Sequence, residues 1–348
     1  MSYITKKPAS SGSTPEARPR PLVLLTDPIH PRHEARLRER AELVRIAPLE
    51  QPEAFLEAAR RASVLIVRSR LPEDLFTHTP RLLGVVRHGS GIDIIPVPGA
   101  TAQGIVVSNV PGANRNAVAE YCIAAMMDAS RRIDRIHDRL MSAGWTESRA
   151  MSDQATELSG KRLGIVGLGY IGTRLAAIAH HGFGMQVAAY RKSPAMAGPD
   201  HVELMALQDL FAQSDYLCLC CPLNDSTRSL VDGALLAHCQ PHAWLVNVAR
   251  AEVVVQDDLL QRLRAGLVRG ATLDTFARSD AFLAQAAEVP GLTLTPHLAG
   301  LTQESLQLMS AGAADAVFRI LDGQPPDHLV NPDVLHAANC RLASDARA

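Results

Sequence analysis

Residues 163–172, LGIVGLGYIG, constrain this chain more than any other stretch. Apolar Leu163, Ile165 and Val166 run into Gly167, Gly169 and Gly172, and Ile171, Leu175, Ile178 and Ala179 follow at helical spacing. The pattern is a buried strand, a glycine turn of the form G-x-G-x-x-G, and a helix. The first glycine permits the tight turn, the second lets backbone approach a pyrophosphate, and the third lets helix pack on strand. The amides of Tyr170 and Ile171 open the helix, where unpaired N–H groups and the helix dipole favour an anion. A ligand-free glycine turn could carry the same three letters. The strand before and the helix after favour dinucleotide binding.

That unit needs strands on both sides, and the chain supplies them in two sets. At 348 residues it suits two domains. Strands are expected at 22–26, 43–47, 64–67, 82–86 and 105–107, with helices between several of them, including 32–41. A second set is expected at 162–166, 186–190, 216–221, 243–248, 271–274 and 292–294. Six parallel strands with intervening helices match a doubly wound dinucleotide-binding sheet. Between the sets, Pro111 and Gly112 mark a break. A single long helix is then expected over 114–143, with Asn114 or Asn116 as its cap and Gly144 at its end. Its stripe of Ala119, Cys122, Met126, Ile133, Ile136 and Leu140 reads as packing. A final helix spans 303–321, before Gly323 and Pro325, and HLVNPDVL follows as a short segment.

Composition narrows the partners. A net charge of −1 gives no reason to expect nucleic acid or an anionic membrane. No apolar run approaches a bilayer span. Residues 1–20 lack the apolar core of a secretory signal and read as a disordered tail, and 336–348 form a C-terminal tail. Six cysteines make no disulfide framework at this length. Cys218 and Cys221 have metal-ligand spacing, but no second pair answers them. No metal is expected, and small buried hydrophobes in a reducing cytoplasm are the better account.

Eight stretches, in order, resemble the D-isomer-specific 2-hydroxyacid dehydrogenases. They are RHGSGID (87–93), NVPGANRNAVAEY (109–121), LSGKRLGIVGLGYIG (158–172), CPLNDSTRSLVD (221–232), LVNVAR (245–250), GATLDTF (270–276), TPHLAG (295–300) and VNPDV (330–334). The resemblance implies an α/β protein of two Rossmann-like or flavodoxin-like domains with doubly wound parallel sheets. Residues 21–108 plus 299–335 would bind substrate. Residues 109–298 would form the cofactor domain, inserted in the middle. It implies a homodimer through the cofactor domains, to which the 114–143 helix would contribute.

The implied chemistry interconverts a 2-keto acid and a D-2-hydroxy acid by hydride transfer with a nicotinamide cofactor. Arg250 matches the substrate arginine, whose guanidinium grips a carboxylate and stabilises charge on the adjacent carbonyl oxygen. His297 matches the acid/base histidine. Backbone around Ser90 and Gly91 would bind the substrate carboxylate. Asn114 matches a substrate-facing position, with helix capping an equally good local account. Arg68 lies where some phosphoglycerate-type members place a phosphate-binding arginine, or is an exposed strand-end arginine. Besides Gly167, Gly169, Tyr170, Ile171 and Gly172, the resemblance puts Cys221, Pro222, Thr227, Val248, Ala249, Asp274 and Gly300 at the cofactor.

Three departures stand out. The acid that usually partners the histidine lies five residues past Asp274, and here that residue is Ser279. Asp280 could substitute after a one-residue shift, or there is no carboxylate partner, as in the formate dehydrogenase branch, which uses an amide. Ala251 replaces a usual glycine and Val255 a usual aspartate, so the arginine loop is expected to sit slightly differently. Third, allowing one extra residue in the GFG segment, Arg191, followed by Lys192 and Ser193, stands where NAD-using members place an acid for the ribose 2′-hydroxyl. Cationic donors there suit a 2′-phosphate, so NADP is expected over NAD. The substrate would be of the glyoxylate, hydroxypyruvate or 3-phosphohydroxypyruvate class. The alternatives are a nucleotide-sensing protein with weak or no turnover and a formate- or phosphite-type dehydrogenase.

Overall fold

The computed structural model describes residues 20–192 and 198–343. The expected tails lie outside them except for Arg20 and residues 336–343, and so does Ser193. Two sheets carry the chain, and every strand pairing within them is parallel. The first is ordered β2-β1-β3-β4-β5, from β1 (Leu22–Leu25), β2 (Glu42–Arg45), β3 (Val64–Val67), β4 (Gly84–Arg87) and β5 (Val106–Ser108). LVLL in β1 and VLIV in β3 are buried at every position, as strands covered on both faces must be. One face packs on Phe55, Leu75 and Phe76. The other packs on the helices Pro31–Arg40 and Gln303–Leu321, so the chain's last long helix returns to its first sheet. Gly84 makes that return possible, since a Cβ there would lie 2.7 Å from Ile320.

The second sheet is ordered β12-β11-β10-β9-β6-β7-β8. Its strands are β6 (Arg162–Val166), β7 (Gln186–Tyr190), β8 (Val202–Leu204), β9 (Tyr216–Leu219), β10 (Trp244–Asn247), β11 (Gly270–Leu273) and β12 (Leu292–Leu294). From β6 the chain winds outward to β7 and β8, then crosses back to β9 and winds out the other way. The order therefore reverses between β6 and β9, which is where such sheets bind ligands, outside the carboxyl ends of the strands.

Several expectations need correction. The sheet has seven strands rather than six. The extra one, β8, is the three-residue edge strand VEL, too short to show a period. The long helix is two helices, Arg115–Arg131 and Ile133–Ala143, broken where Arg132 adopts a left-handed φ of 51°. Ala119, Cys122 and Met126 are buried in the first helix, but the second buries none of its residues, so the stripe is packing only as far as the break. Asn114 sits at the N-cap position, yet its side chain makes no capping bond there. HLVNPDVL covers the open edge of β5. Leu329 bridges Ser108, and Asn331 accepts from Val107 N (2.8 Å) and donates to Ile105 O (3.0 Å). The six cysteines are free, and among the described residues no cluster of His, Cys, Asp or Glu is arranged to hold a metal. No helix of the described residues is long and apolar enough to cross a membrane.

Candidate active site

Six strands of the second sheet each deliver a group just past their carboxyl ends. They are Gly167 after β6, Arg191 after β7, Cys221 after β9, Arg250 after β10, Asp274 after β11 and His297 after β12. A parallel sheet aligns those ends along one edge, so residues far apart in sequence share one crevice.

The glycine turn fits a pyrophosphate on physical grounds. Gly167 has φ +101°, and a Cβ there would lie 2.8 Å from the backbone of Cys221. A Cβ on Gly172 would meet Gly167 O at 2.2 Å, so helix and strand could not close. Above Gly169 there is open space within 4 Å, on the N-terminus of the helix Tyr170–Phe183, which has no side-chain cap. Unfilled room beside uncapped helix amides is what an anionic group requires. Tyr190 O accepts from Gly167 N (2.9 Å), which sets half-buried Arg191 and exposed Lys192 beside the turn. Cys221 and Ala249 are buried beneath the crevice, with Val248 partly covered. Thr227 is committed to its own loop, donating to Pro222 O (2.7 Å) and accepting from Asn224 N (2.8 Å).

Arg250 is gripped from the other unit. Its Nε donates to both oxygens of Asp93 (3.1 Å each), its Nη2 to Asp93 Oδ1 (2.9 Å), and its Nη1 to Ala249 O (2.8 Å). The guanidinium lies directly over Gly91, where a Cβ would fall 2.1 Å from Nη2. The amides of Ser90 and Gly91 have no acceptor among the described residues, as a carboxylate-binding loop needs. The Ser90 hydroxyl faces the crossover instead, 3.4 Å from Val110 O and 3.3 Å from Gly112 N. Arg68 follows β3 and donates to Pro28 O (3.0 Å). Asn114 packs against Gly300, with its Oδ1 buried and without a hydrogen-bond partner among the described residues. Ala251 causes no strain. It begins a 3-10 turn, Ala251–Val253, and is not among the positive-φ residues, so glycine's freedom is unnecessary there. Val255 stands uncapped before the helix Gln256–Arg264, which is the cost of the missing aspartate.

His297 sits in a turn with φ +56°, uncommon for a non-glycine residue. Buried Asp274 holds that turn. One of its oxygens accepts from the Thr295 hydroxyl (2.7 Å) and Leu298 N (2.8 Å), the other from Ala299 N (3.0 Å), and its carbonyl accepts from His297 N (2.9 Å). Tyr121 lies 2.5 Å from the Thr295 hydroxyl, and burial pushes its phenol up to about 12, so it stays protonated. The pKa of His297 is lowered from 6.5. Burial is the largest cause, Arg250 pushes the same way, Asp274 opposes, and Arg278 and Arg87 add to the lowering.

Neither residue at the expected acid position partners the imidazole. Ser279 caps the helix Asp280–Ala287, its Oγ accepting from Phe282 N (3.2 Å), and Asp280 is exposed at that helix's first position. Among the described residues neither side chain makes a hydrogen bond or an ion pair with His297. Sequence reasoning singled out neither Asp93 nor the Thr295–Tyr121 link. Asp93 was nevertheless within reach, as the acid that closes the quoted RHGSGID stretch.

A family profile described as D-isomer specific 2-hydroxyacid dehydrogenase, NAD binding domain, matches residues 123–299. A D-3-phosphoglycerate dehydrogenase of Mycobacterium bovis is 34% identical over 315 residues, covering 89% of this chain and 59% of that protein. The chain thus spans about three fifths of that relative's length. A glyoxylate reductase of Thermococcus litoralis is 30% identical over 289 residues, covering 81% and 87%. An NADPH-dependent glyoxylate/hydroxypyruvate reductase of Sinorhizobium meliloti, solved with NADP and malonate, is similar in structure. Its TM-score is 0.78 at 26% identity, over 92% of this chain and 98% of that one.

Proposed function

The chain belongs to the D-isomer-specific 2-hydroxyacid dehydrogenase family, and from that premise we propose that it reduces a small 2-keto acid to the D-2-hydroxy acid, with NADPH preferred over NADH. The observation that carries this reading is that Arg250 and His297 follow strands of the same sheet as the glycine turn, near enough for the charge of Arg250 to act on the imidazole. The bound dinucleotide would supply the hydride. Gly167, Gly169 and Gly172 would admit its pyrophosphate. Arg250 and the amides of Ser90 and Gly91 would hold the substrate carboxylate, and His297 would deliver a proton to the keto oxygen. We assign residues 21–108 with 299–335 to substrate binding and 109–298 to the cofactor. A reduction screen of glyoxylate, hydroxypyruvate and 3-phosphohydroxypyruvate with both cofactors tests the activity. Cofactor oxidation with none of them would reject it, and turnover of formate or phosphite instead would reassign it.

The NADPH preference rests on charge. Arg191 and Lys192 follow β7, and both can serve a 2′-phosphate where an acid would repel it. The Sinorhizobium reductase, with NADP in its structure, supports the same choice. Arg191→Asp is expected to raise the KM for NADPH about tenfold or more, on the scale of one lost charge-assisted bond plus repulsion, and to lower that for NADH. Unchanged KM values, or tighter NADH binding by the wild type, would reject the preference.

We further propose a homodimer through the cofactor unit. The amphipathic helix Ile133–Ala143 buries none of its residues, and Ile133, Met141 and neighbouring Trp145 are 67%, 74% and 70% exposed. A contiguous apolar face of that kind calls for a cover. Light scattering should give twice the 37.5 kDa of one chain, and Met141→Asp with Trp145→Asp should halve it. A monomeric wild type at micromolar concentration would rule the dimer out. The six free cysteines suit a reducing compartment, and we place the protein in the cytoplasm.

A further inference from the structure

A guanidinium has five N–H groups, and the structure accounts for three of those on Arg250. The Nε–H and one Nη2–H go to Asp93, and one Nη1–H goes to Ala249 O. One N–H on each Nη remains. Among the described residues those two hydrogens have no acceptor, and one from each Nη is what a guanidinium needs to offer a carboxylate a parallel N–H pair. Asp93 therefore takes the side of the guanidinium and leaves its end open. Had Asp93 been an internal stand-in for substrate, it would be expected on the edge that substrate needs.

The loop that carries Asp93 is itself braced. Arg87, at the end of β4, donates Nε–H to Gly91 O (2.8 Å) and Nη1–H to Val67 O (3.1 Å) and His88 O (2.6 Å). Burial pushes Arg87 down to about 10, which leaves it cationic at neutral pH. Gly91 supplies the flat floor on which the guanidinium rests. Burial alone would raise the pKa of Asp93, but hydrogen bonds and charge from Arg250 outweigh it, and the net shift is downward, keeping the carboxylate ionised. Its partner lies 157 residues away and on the other sheet, so the grip is made across the crevice between the two units.

We propose that Asp93 is a positioning residue for substrate: it holds Arg250 from across the crevice so that the free Nη1/Nη2 edge is presented to the 2-keto acid carboxylate. This rests on the reading of the chain as a 2-keto acid reductase. Without Asp93 the charge of Arg250 remains, but its fork can swing among rotamers, and recognition weakens without loss of the proton donor. Because Asp93 belongs to the first unit and Arg250 to the second, the substrate grip is complete only when the two are apposed.

The test is Asp93→Asn, nearly isosteric, in steady-state reduction with NADPH and the keto acid found in the screen. The KM for the keto acid should rise at least tenfold and kcat fall less than threefold, with the NADPH KM unchanged. In an Arg250→Lys background, where no fork is left to orient, the same substitution should change KM less than twofold. Equal losses in both backgrounds would mean a general structural role and overturn the proposal. A lower KM would make Asp93 a competitor of substrate and overturn it equally. If the wild type turns over no keto acid, the proposed activity fails, and Asp93 is read separately by calorimetric titration of oxamate into the NADPH-loaded protein. Tenfold weaker oxamate binding by Asp93→Asn sustains the positioning role. Equal or tighter binding, or no binding to either protein, rejects it.

Discussion

Replacing His297 with asparagine is expected to lower kcat/KM for keto acid reduction by about 10²- to 10⁴-fold, the usual contribution of a positioned general acid. Asparagine keeps a hydrogen-bonding side chain at the turn but has no proton to give. The pH dependence of the wild type should carry a matching signature. A donor works only when protonated, and burial together with Arg250 sets the His297 pKa below 6.5 in the free protein. Reduction, followed as kcat/KM, should therefore be full only below that value and decline as pH rises through it. Substrate brings a carboxylate to Arg250 and offsets one of the charges responsible. The pKa seen in kcat, which reports the loaded protein, should lie above the one seen in kcat/KM. A kcat/KM profile flat to pH 8, or an inflection well above 6.5, would mean that the imidazole has a carboxylate partner absent from this arrangement. Asp280→Asn would then abolish the upward shift. Exposed at the head of its helix, Asp280 is expected to change kcat/KM less than twofold.

Arg250 carries the second large effect. Arg250→Lys keeps a positive charge but loses the planar fork and the side-on contact with Asp93, and is expected to cost about 2–4 kcal/mol in kcat/KM, roughly 30- to 1,000-fold. Arg250→Ala should cost more, because it also strands a partly buried carboxylate. Asp93 is held ionised largely by this arginine, so its pKa should climb once the partner is gone. The NADPH KM should stay near the wild-type value for both variants, since the glycine turn and Arg191 are untouched. A loss shared equally between keto acid and NADPH would show that Arg250 serves the fold of its loop rather than the substrate.

Much of the fold was legible because its signals are local. The runs LVLL and VLIV announce buried parallel strands through unbroken apolarity, and Gly167 and Gly172 announce a turn that no side chain could occupy. The strand β8 was not legible, since three residues carry no period. The break at Arg132 was missed for a related reason. Apolar spacing continues through it, and nothing in the letters marks an arginine in a left-handed conformation. The concern over Ala251 also came from local reasoning, and it dissolved once the chain was found to pass that point without a positive φ.

By itself, the sequence determined which residue types could do the chemistry and which strand each one follows. An arginine able to grip a carboxylate and a histidine able to transfer a proton are recognisable beside a strand end wherever that strand lies. Only the tertiary structure decided whom those residues touch. It placed Asp93 on Arg250 across 157 residues, made Ser279 a helix cap rather than a partner for His297, and wrapped the histidine's turn around Asp274 with Tyr121 behind it. The reason is that strand and turn formation depend on neighbours in the chain, while a hydrogen-bond partner is chosen among whatever groups packing brings within about 3 Å.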